Sequence, residues 1–347
     1  MRMTISLPWL SGTYLDRRWP ALTMLLAVAT LLEVAAGTGL AYLAGFANVR
    51  AVLGNFNGIW LLALVGALCV SFAGYYYAYR GTFRVEGGPA LSSWGLPAVV
   101  AAGFGGFLAH GGGALDQNAL RSAGASEQEA KVRAAGLAGL EHGVLAIGGS
   151  AAAIAVLVSG LSRPNPGYTL PWAIIPVPGF LLAFWLAERY RHRFSESHGW
   201  RGWLGIFLGS IHIIRELFAH PLRWGWAVAG MAVFWAADAL AAWAGLAAFG
   251  FRMNVAALYI GFATGMVFTR RTGPLAGAGV LALLLPLTIW VSGAPFAVAI
   301  VGVFTYRVLV LWLPMPVSLA VLPTLQKMAK AAAAAAEETA EAARQRG

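Results

Sequence analysis

The chain has 347 residues, 59% of them hydrophobic and only 11% charged, with a mean hydropathy of +0.70 and a formal net charge of +10. So little polar surface cannot cover a water-soluble globule of this size, which excludes an ordinary soluble enzyme or binding domain and places the chain in a bilayer. The positive balance is what cytoplasmic loops of a membrane protein carry, so it needs no nucleic-acid partner to explain it.

A helix needs about 20 mostly apolar residues to cross the hydrocarbon core. The first such run, Leu22 to Gly45, follows Arg2, Arg17 and Arg18, and Ala44 and Ala47 are spaced like a leader cleavage site. The run is longer than the roughly 7–15 apolar residues of a secretory leader, so it reads as a retained span behind a cytoplasmic segment, 1–20. It holds Glu33. The second span, Ile59 to Tyr79, contains the single cysteine, Cys69, which excludes an intrachain disulfide. Gly95 to Leu115 is apolar but broken by glycines, three of them consecutive at 111 to 113, with His110 beside them. Asp116, Asn118 and Arg121 follow, placed to touch a head group at a cytoplasmic mouth or to form an ordinary solvated loop.

Ala134 to Gly160 is the third span and carries Glu141 and His142, which as helix neighbours point in different directions. Leu170 to Ala187 is the fourth. From Trp200 to His220, Phe207, Ile211, Ile214 and Phe218 share one helical stripe, while Arg201, Gly205, His212, Glu216 and His220 follow another. That pattern fits an amphipathic linker helix, 200–220, on the cytoplasmic interface, or a helix packed on the bundle. Trp224 to Gly250 is the fifth span, with Asp238 near its middle. Val255 to Ser292 is a second glycine-broken stretch, with Arg270 and Arg271 between its halves, and reads as a re-entrant loop or as two crossings. Phe296 to Met315 is the last span and holds Tyr306 and Arg307. Residues 323–347 form an Ala-rich, charged cytoplasmic tail, expected as a solvated helix.

Charge asymmetry selects the topology. If the N-terminus is cytoplasmic and the first broken segment returns to its own side, 18 Lys and Arg lie inside against Arg50, Arg163 and Arg252 outside, out of 24 in all. If that segment crossed, the basic loop from Arg189 to Arg223 would face outward. The same parity brings the second broken segment in from the opposite face and leaves both termini in the cytoplasm. The expected fold is therefore all-α, a polytopic transmembrane helix bundle of about six full spans plus two glycine-broken re-entrant segments, or eight spans if the second crosses twice. Its membrane domain covers 21–322, with inverted-topology repeats at about 59–160 and 224–316. Broken hydrophobic segments at matching places in two halves point to a midplane substrate site. Close helix packing is the alternative account for the four-residue glycine spacings Gly139/Gly143, Gly261/Gly265 and Gly273/Gly277.

From about Gly95 to Leu325 the chain resembles the transmembrane region of lysylphosphatidylglycerol synthases and related stand-alone flippase-like membrane proteins. The resemblance rests on Gly113-Ala114-Leu115-Asp116-Gln117-Asn118-Ala119-Leu120-Arg121 and Leu137-Ala138-Gly139-Leu140-Glu141-His142 in the first half. In the second it rests on Thr272-Gly273-Pro274-Leu275-Ala276-Gly277-Ala278-Gly279, Gly293-Ala294-Pro295, and Tyr306-Arg307 running to Trp312-Leu313-Pro314. It implies a duplicated, inverted-repeat bundle that handles lipids or lipid-linked head groups. His142 stands where such proteins more often have arginine, and Val280 and Leu281 where a glutamate often follows the Pro-Gly-rich loop. No stretch is long enough for the synthases' soluble aminoacyl-transfer domain, so the resemblance implies lipid handling without aminoacyl transfer.

An ionisable side chain at membrane depth costs about 2.5–3.5 kcal/mol on insertion scales, so each calls for a partner or a function. Arg307, with Tyr306 beside it, offers a planar donor fork for a lipid phosphate; an ion pair with Asp238 or Glu141 is the structural alternative. The candidate substrate contacts are thus Arg307, Tyr306, Asp238, Glu141, His142, Asn118 and Arg121. Candidates for proton coupling are Glu33, His110, His142 and Asp238, against hydrogen-bonded structural histidines. Arg270 and Arg271 suit an anionic lipid surface or serve as topology anchors. No catalytic residue, cofactor or metal set is expected: there is no phosphate loop, no His/Cys cluster, and Ser71 and Ser210 lack a nearby base. The leading reading is a cell-membrane translocase of a phospholipid or lipid-linked intermediate with an anionic head group. The alternatives are a membrane-embedded transferase acting on polyprenyl phosphate or phospholipid, and an accessory subunit of an envelope-glycan machine. Expected partners are membrane lipids, with a second copy of the chain or envelope-glycan enzymes as further possibilities.

Overall fold

The computed structural model describes residues 19–104, 113–160, 165–194, 199–267 and 274–346, and among them every regular element is helical. The helices are α1 (Trp19–Ala44), α2 (Phe46–Leu53), α3 (Ile59–Arg84), α4 (Gly95–Phe104), α5 (Gly113–Ser122), α6 (Glu127–Ser159), α7 (Pro166–Ile174) and α8 (Pro176–Phe194). They continue as α9 (Trp200–Ala219), α10 (Pro221–Ala247), α11 (Val255–Met266), α12 (Pro274–Val291), α13 (Phe296–Trp312), α14 (Met315–Ala320) and α15 (Leu322–Arg346).

Local chemistry sets several of the boundaries. Ser126 caps α6 by accepting from the Glu129 amide, a serine three residues ahead of a glutamate as in a capping box. Asn165 caps α7 with Pro166 at the first helical position, and Asn254 caps α11 by accepting from the amides of Ala256 and Ala257. Pro176, which has no amide hydrogen, marks the break between α7 and α8.

Among the described residues, seven helical stretches are long and apolar enough to cross a membrane. They include the six expected spans, with α7–α8 and α13–α14 each counted as one stretch, and α9 is the seventh. Their outer faces carry exposed leucines and valines, among them Leu31, Leu62, Val158 and Leu181, which suit a hydrocarbon solvent. The chain is an integral, multi-pass membrane protein.

The centre of the bundle is α10, which packs against α3, α13, α6, α9 and α11. Two backbone-to-backbone approaches set its position. A Cβ on Gly74 of α3 would lie 2.5 Å from the Gly230 carbonyl oxygen of α10, and one on Gly230 would lie 2.7 Å from the Gly74 carbonyl oxygen. Gly245 of α10 and Gly302 of α13 face each other in the same reciprocal way. Small residues let apolar helices approach until dispersion and weak polar contacts hold them, the main attraction available inside lipid.

The broken segments become helical pairs. At 1.5 Å per residue, the described parts of α4 and α5 are each about 15 Å long, α11 is about 18 Å and α12 about 27 Å, against a hydrocarbon core of about 30 Å. In the second pair α11 and α12 run antiparallel, with Gly261 against Thr288 and Ile289 and Gly265 against Leu285. Glycine spacing there serves close packing, as it does at Gly139 against Ile214 and Gly143 against Phe180. Trp172 of α7 donates to the Thr264 hydroxyl and Tyr168 to the Thr288 carbonyl, tying this hairpin to the bundle.

Two elements sit differently from their sequence pattern. In α9 the buried side departs from the expected apolar stripe: Phe207 is exposed and Phe218 half-buried, while Gly205, Leu208 and His212 are buried along with Ile211, Ile213 and Ile214, because the helix is wedged against α6, α8 and α10. The tail helix α15 packs along α5 and α4, with Leu325 and Ala332 buried, so its first half is part of the bundle.

At the end of α3, the buried Arg133 guanidinium donates to the carbonyls of Phe83 and Val85 while its Nε pairs with Glu129. Gly88 lies under it; a Cβ there would fall 2.1 Å from the Arg133 Cζ.

Candidate functional site

Among the described residues, three carboxylates lie wholly inside the bundle: Asp116, Glu141 and Asp238 are each 0% exposed. Each accepts a hydrogen bond from a tyrosine on another helix. Tyr79 of α3 donates to Asp116 of α5 at 3.0 Å, Tyr75 of α3 to Glu141 of α6 at 2.9 Å, and Tyr306 of α13 to Asp238 of α10 at 2.9 Å. A phenol supplies a short donor whose ring is itself at home among apolar side chains, so it can reach a buried carboxyl without bringing in a second charge.

The rings connect these sites. Tyr75 packs edge-on to Tyr79 and Phe104 and stacks on Phe234 at 4.5 Å. Phe234 contacts Trp235, Trp235 contacts Phe262, and Phe262 contacts Tyr306. Trp235 also donates to the backbone carbonyl of Glu141 at 2.7 Å, so α10 carries Asp238 and at the same time fixes the turn of α6 that presents Glu141. An unbroken aromatic path therefore runs from the first helical pair to the second.

Arg307 directly follows Tyr306 on α13 and is 2% exposed; its Nε donates to Glu33 Oε1 of α1 at 2.5 Å. Glu33 borders a crevice of about 320 Å³ between α1 and α13, lined also by Thr30, Gly37, Phe304 and Trp312. The guanidinium is thus held behind a carboxylate that faces the crevice. For Arg307 the salt-bridge partner is Glu33, a residue that was expected only as a proton carrier.

His142 is half-buried with Nδ1 2.8 Å from the Ala138 carbonyl one turn earlier, which requires the proton on Nδ1 and is a structural histidine's contact. Asn118 is half-buried on α5, and Arg121 donates to the Ala332 carbonyl of α15, so the tail helix covers the place where a head-group contact was expected. Asp116 is not in a mouth loop: α5 carries it into the core. His110 and the Arg270-Arg271 pair lie outside the described residues.

The structure thus brings together Glu141 with Tyr75, Asp238 with Tyr306, and Arg307 with Glu33, while Arg121 stands apart at the α5–α15 contact and Asn118 lies half-buried on α5. Sequence reasoning missed Tyr75, Tyr79 and Trp235. The signal was present as tyrosines four residues apart inside an apolar span, but a run of Tyr75, Tyr76, Tyr77 and Tyr79 reads equally as an interfacial aromatic belt. No group of three or more His, Cys, Asp or Glu among the described residues is arranged to hold a metal. Compared with known proteins, the chain matches no protein-family model and no curated protein sequence.

Proposed function

We propose that this protein moves a phospholipid or a lipid-linked intermediate with an anionic head group across the membrane, using the interior between its two helical pairs, α4–α5 and α11–α12. The observation that carries the reading is the set of fully buried carboxylates, Asp116, Glu141 and Asp238, joined by one aromatic path and flanked by α4–α5 and α11–α12. Ionisable groups at membrane depth are costly and mark transport or proton pathways by default. The 12-residue α11 is too short to span, and backbone that stops partway through the bilayer is tolerated where protein or a water-filled cavity shields it, as in transporters with discontinuous helices. On this reading the two halves are inverted-topology repeats, Glu141 and Asp238 exchange protons or polar contacts during transit, and Arg307 reaches a phosphate when Glu33 releases it.

The test is reconstitution of the full chain into vesicles carrying a fluorescent anionic lipid, with a membrane-impermeant reductant added outside. Protein accelerates loss of the protected inner-leaflet signal over protein-free vesicles, with or without an imposed proton gradient, and Glu141→Gln and Asp238→Asn slow it by about tenfold or more, the scale of losing one charged contact. No acceleration under either condition, or full rates in both folded variants, sinks the translocase reading.

A further inference from the structure

Cys69, Phe72, Tyr76, Arg80 and Arg84 recur every three or four residues along α3 and so share one broad face of that helix, with Leu68 at its edge. Two cavities open along this face at its contact with α4. The first, of about 250 Å³, is apolar: Leu68, Cys69 and Phe72 meet Phe104 of α4 and Val310 and Val317 from α13 and α14. The second, of about 240 Å³, is basic: Tyr76, Arg80 and Arg84 meet Ser92, Ser93 and Leu96. From Cys69 to Arg80 or Arg84 is about 16–22 Å along the helix, close to one leaflet, half of a hydrocarbon core of about 30 Å plus the head-group layer.

The arginines of this face differ from those held in ion pairs. Arg133, Arg215 and Arg307 each meet a glutamate. Arg80 and Arg84 are exposed and have no ion-pair partner among the described residues; the neighbouring Glu86 is engaged by His212 at 3.0 Å. The same two side chains border a wider opening with Arg223, Tyr77 and Trp226, a basic and aromatic lining of the kind found at the membrane–water interface. Topology rules account for arginines at this end of α3, but not for an apolar slot in register with them on the same helical face.

We propose that the α3–α4 face binds one anionic phospholipid, its phosphate between Arg80 and Arg84 and an acyl chain lying past Tyr76 and Phe72 into the slot at Cys69. Guanidinium forks suit a phosphate's oxygens, and the two cavities divide polar from apolar as an amphiphile does. The site is separate from the buried carboxylates, and its occupancy does not depend on translocation.

Cys69, the chain's single cysteine, is exposed in the slot and reports its occupancy directly. Full-length protein in non-ionic detergent is reacted with N-ethylmaleimide in the presence of phosphatidylglycerol, phosphatidylcholine or glycerol phosphate. Phosphatidylglycerol at about three times its Kd slows modification about fourfold, as mass action requires, whereas the other two leave the rate unchanged. Arg80→Gln/Arg84→Gln removes the protection and Arg80→Lys/Arg84→Lys retains part of it. Val317→Trp, at an exposed position on the far wall, weakens protection with both arginines intact and provides the test if the glutamine variant does not fold. Equal protection by phosphatidylcholine, protection by glycerol phosphate alone, or protection that survives in folded glutamine or Val317→Trp variants overturns the proposal.

Discussion

Inside a membrane an ionisable side chain is costly without a polar partner, and Arg307 and Glu33 supply one to each other across α13 and α1. Arg307→Met strands the Glu33 carboxyl next to an apolar crevice and is expected to cost about 3–5 kcal/mol, the scale for breaking a buried pair. Glu33→Gln/Arg307→Met removes both charges and recovers more than half of that loss in thermal unfolding of the detergent-solubilised protein. If the double variant is as unstable as the single one, the pair is not what holds α1. A double variant that folds and still moves lipid takes Arg307 out of the phosphate role, and one that folds but is inactive keeps it there. That Glu33, Glu141, Asp238 and Arg307 are buried was legible in the sequence, because each interrupts an apolar run long enough to span. Their partners were not, since Glu141, Asp238 and Arg307 meet Tyr75, Tyr306 and Glu33 across 66, 68 and 274 residues.

Helices in lipid are held largely by how closely they approach, which makes the α3–α10 seam the element-scale counterpart of that ion pair. Gly74→Ala forces a methyl group to within 2.5 Å of backbone on α10, where no rotamer change can relieve it. It is expected to destabilise by about 1–3 kcal/mol. Gly66→Ala, on the same helix with nothing within 4 Å, serves as the control and stays within about 1 kcal/mol of wild type in either direction. Equal melting temperatures for the two variants would show that the seam tolerates separation. Apolar run length revealed the spans, and the four-residue spacing at 261 and 265 marked a close contact. The α9 stripe misled, because polar and small residues such as His212 and Gly205 are buried by neighbours that no periodicity within α9 discloses. Asp116 looked like a loop residue for a similar reason: the phenol that receives it belongs to a helix 37 residues earlier.

At the scale of the whole molecule, the distribution of Lys and Arg predicts that both termini face the cytoplasm. Protease sites appended at each end are expected to be cut together in inside-out vesicles and spared together in right-side-out ones; opposite behaviour of the two ends refutes the even number of crossings. The packing of α15 on α5 adds that a tag at the C-terminus follows a docked helix whose far end alone projects from the bundle. Arg133 has a different reach. By gripping the carbonyls at the end of α3 above Gly88, it ties together the two exits of the segment that contains α4 and α5, so that this insert is closed at its base like a drawstring bag. In evolutionary terms position 88 is shut twice over: a Cβ there would lie 2.1 Å from the Phe83 carbonyl oxygen as well as from the guanidinium, so sequences descended from a common ancestor should keep glycine at 88 even in lineages that give up the arginine at 133.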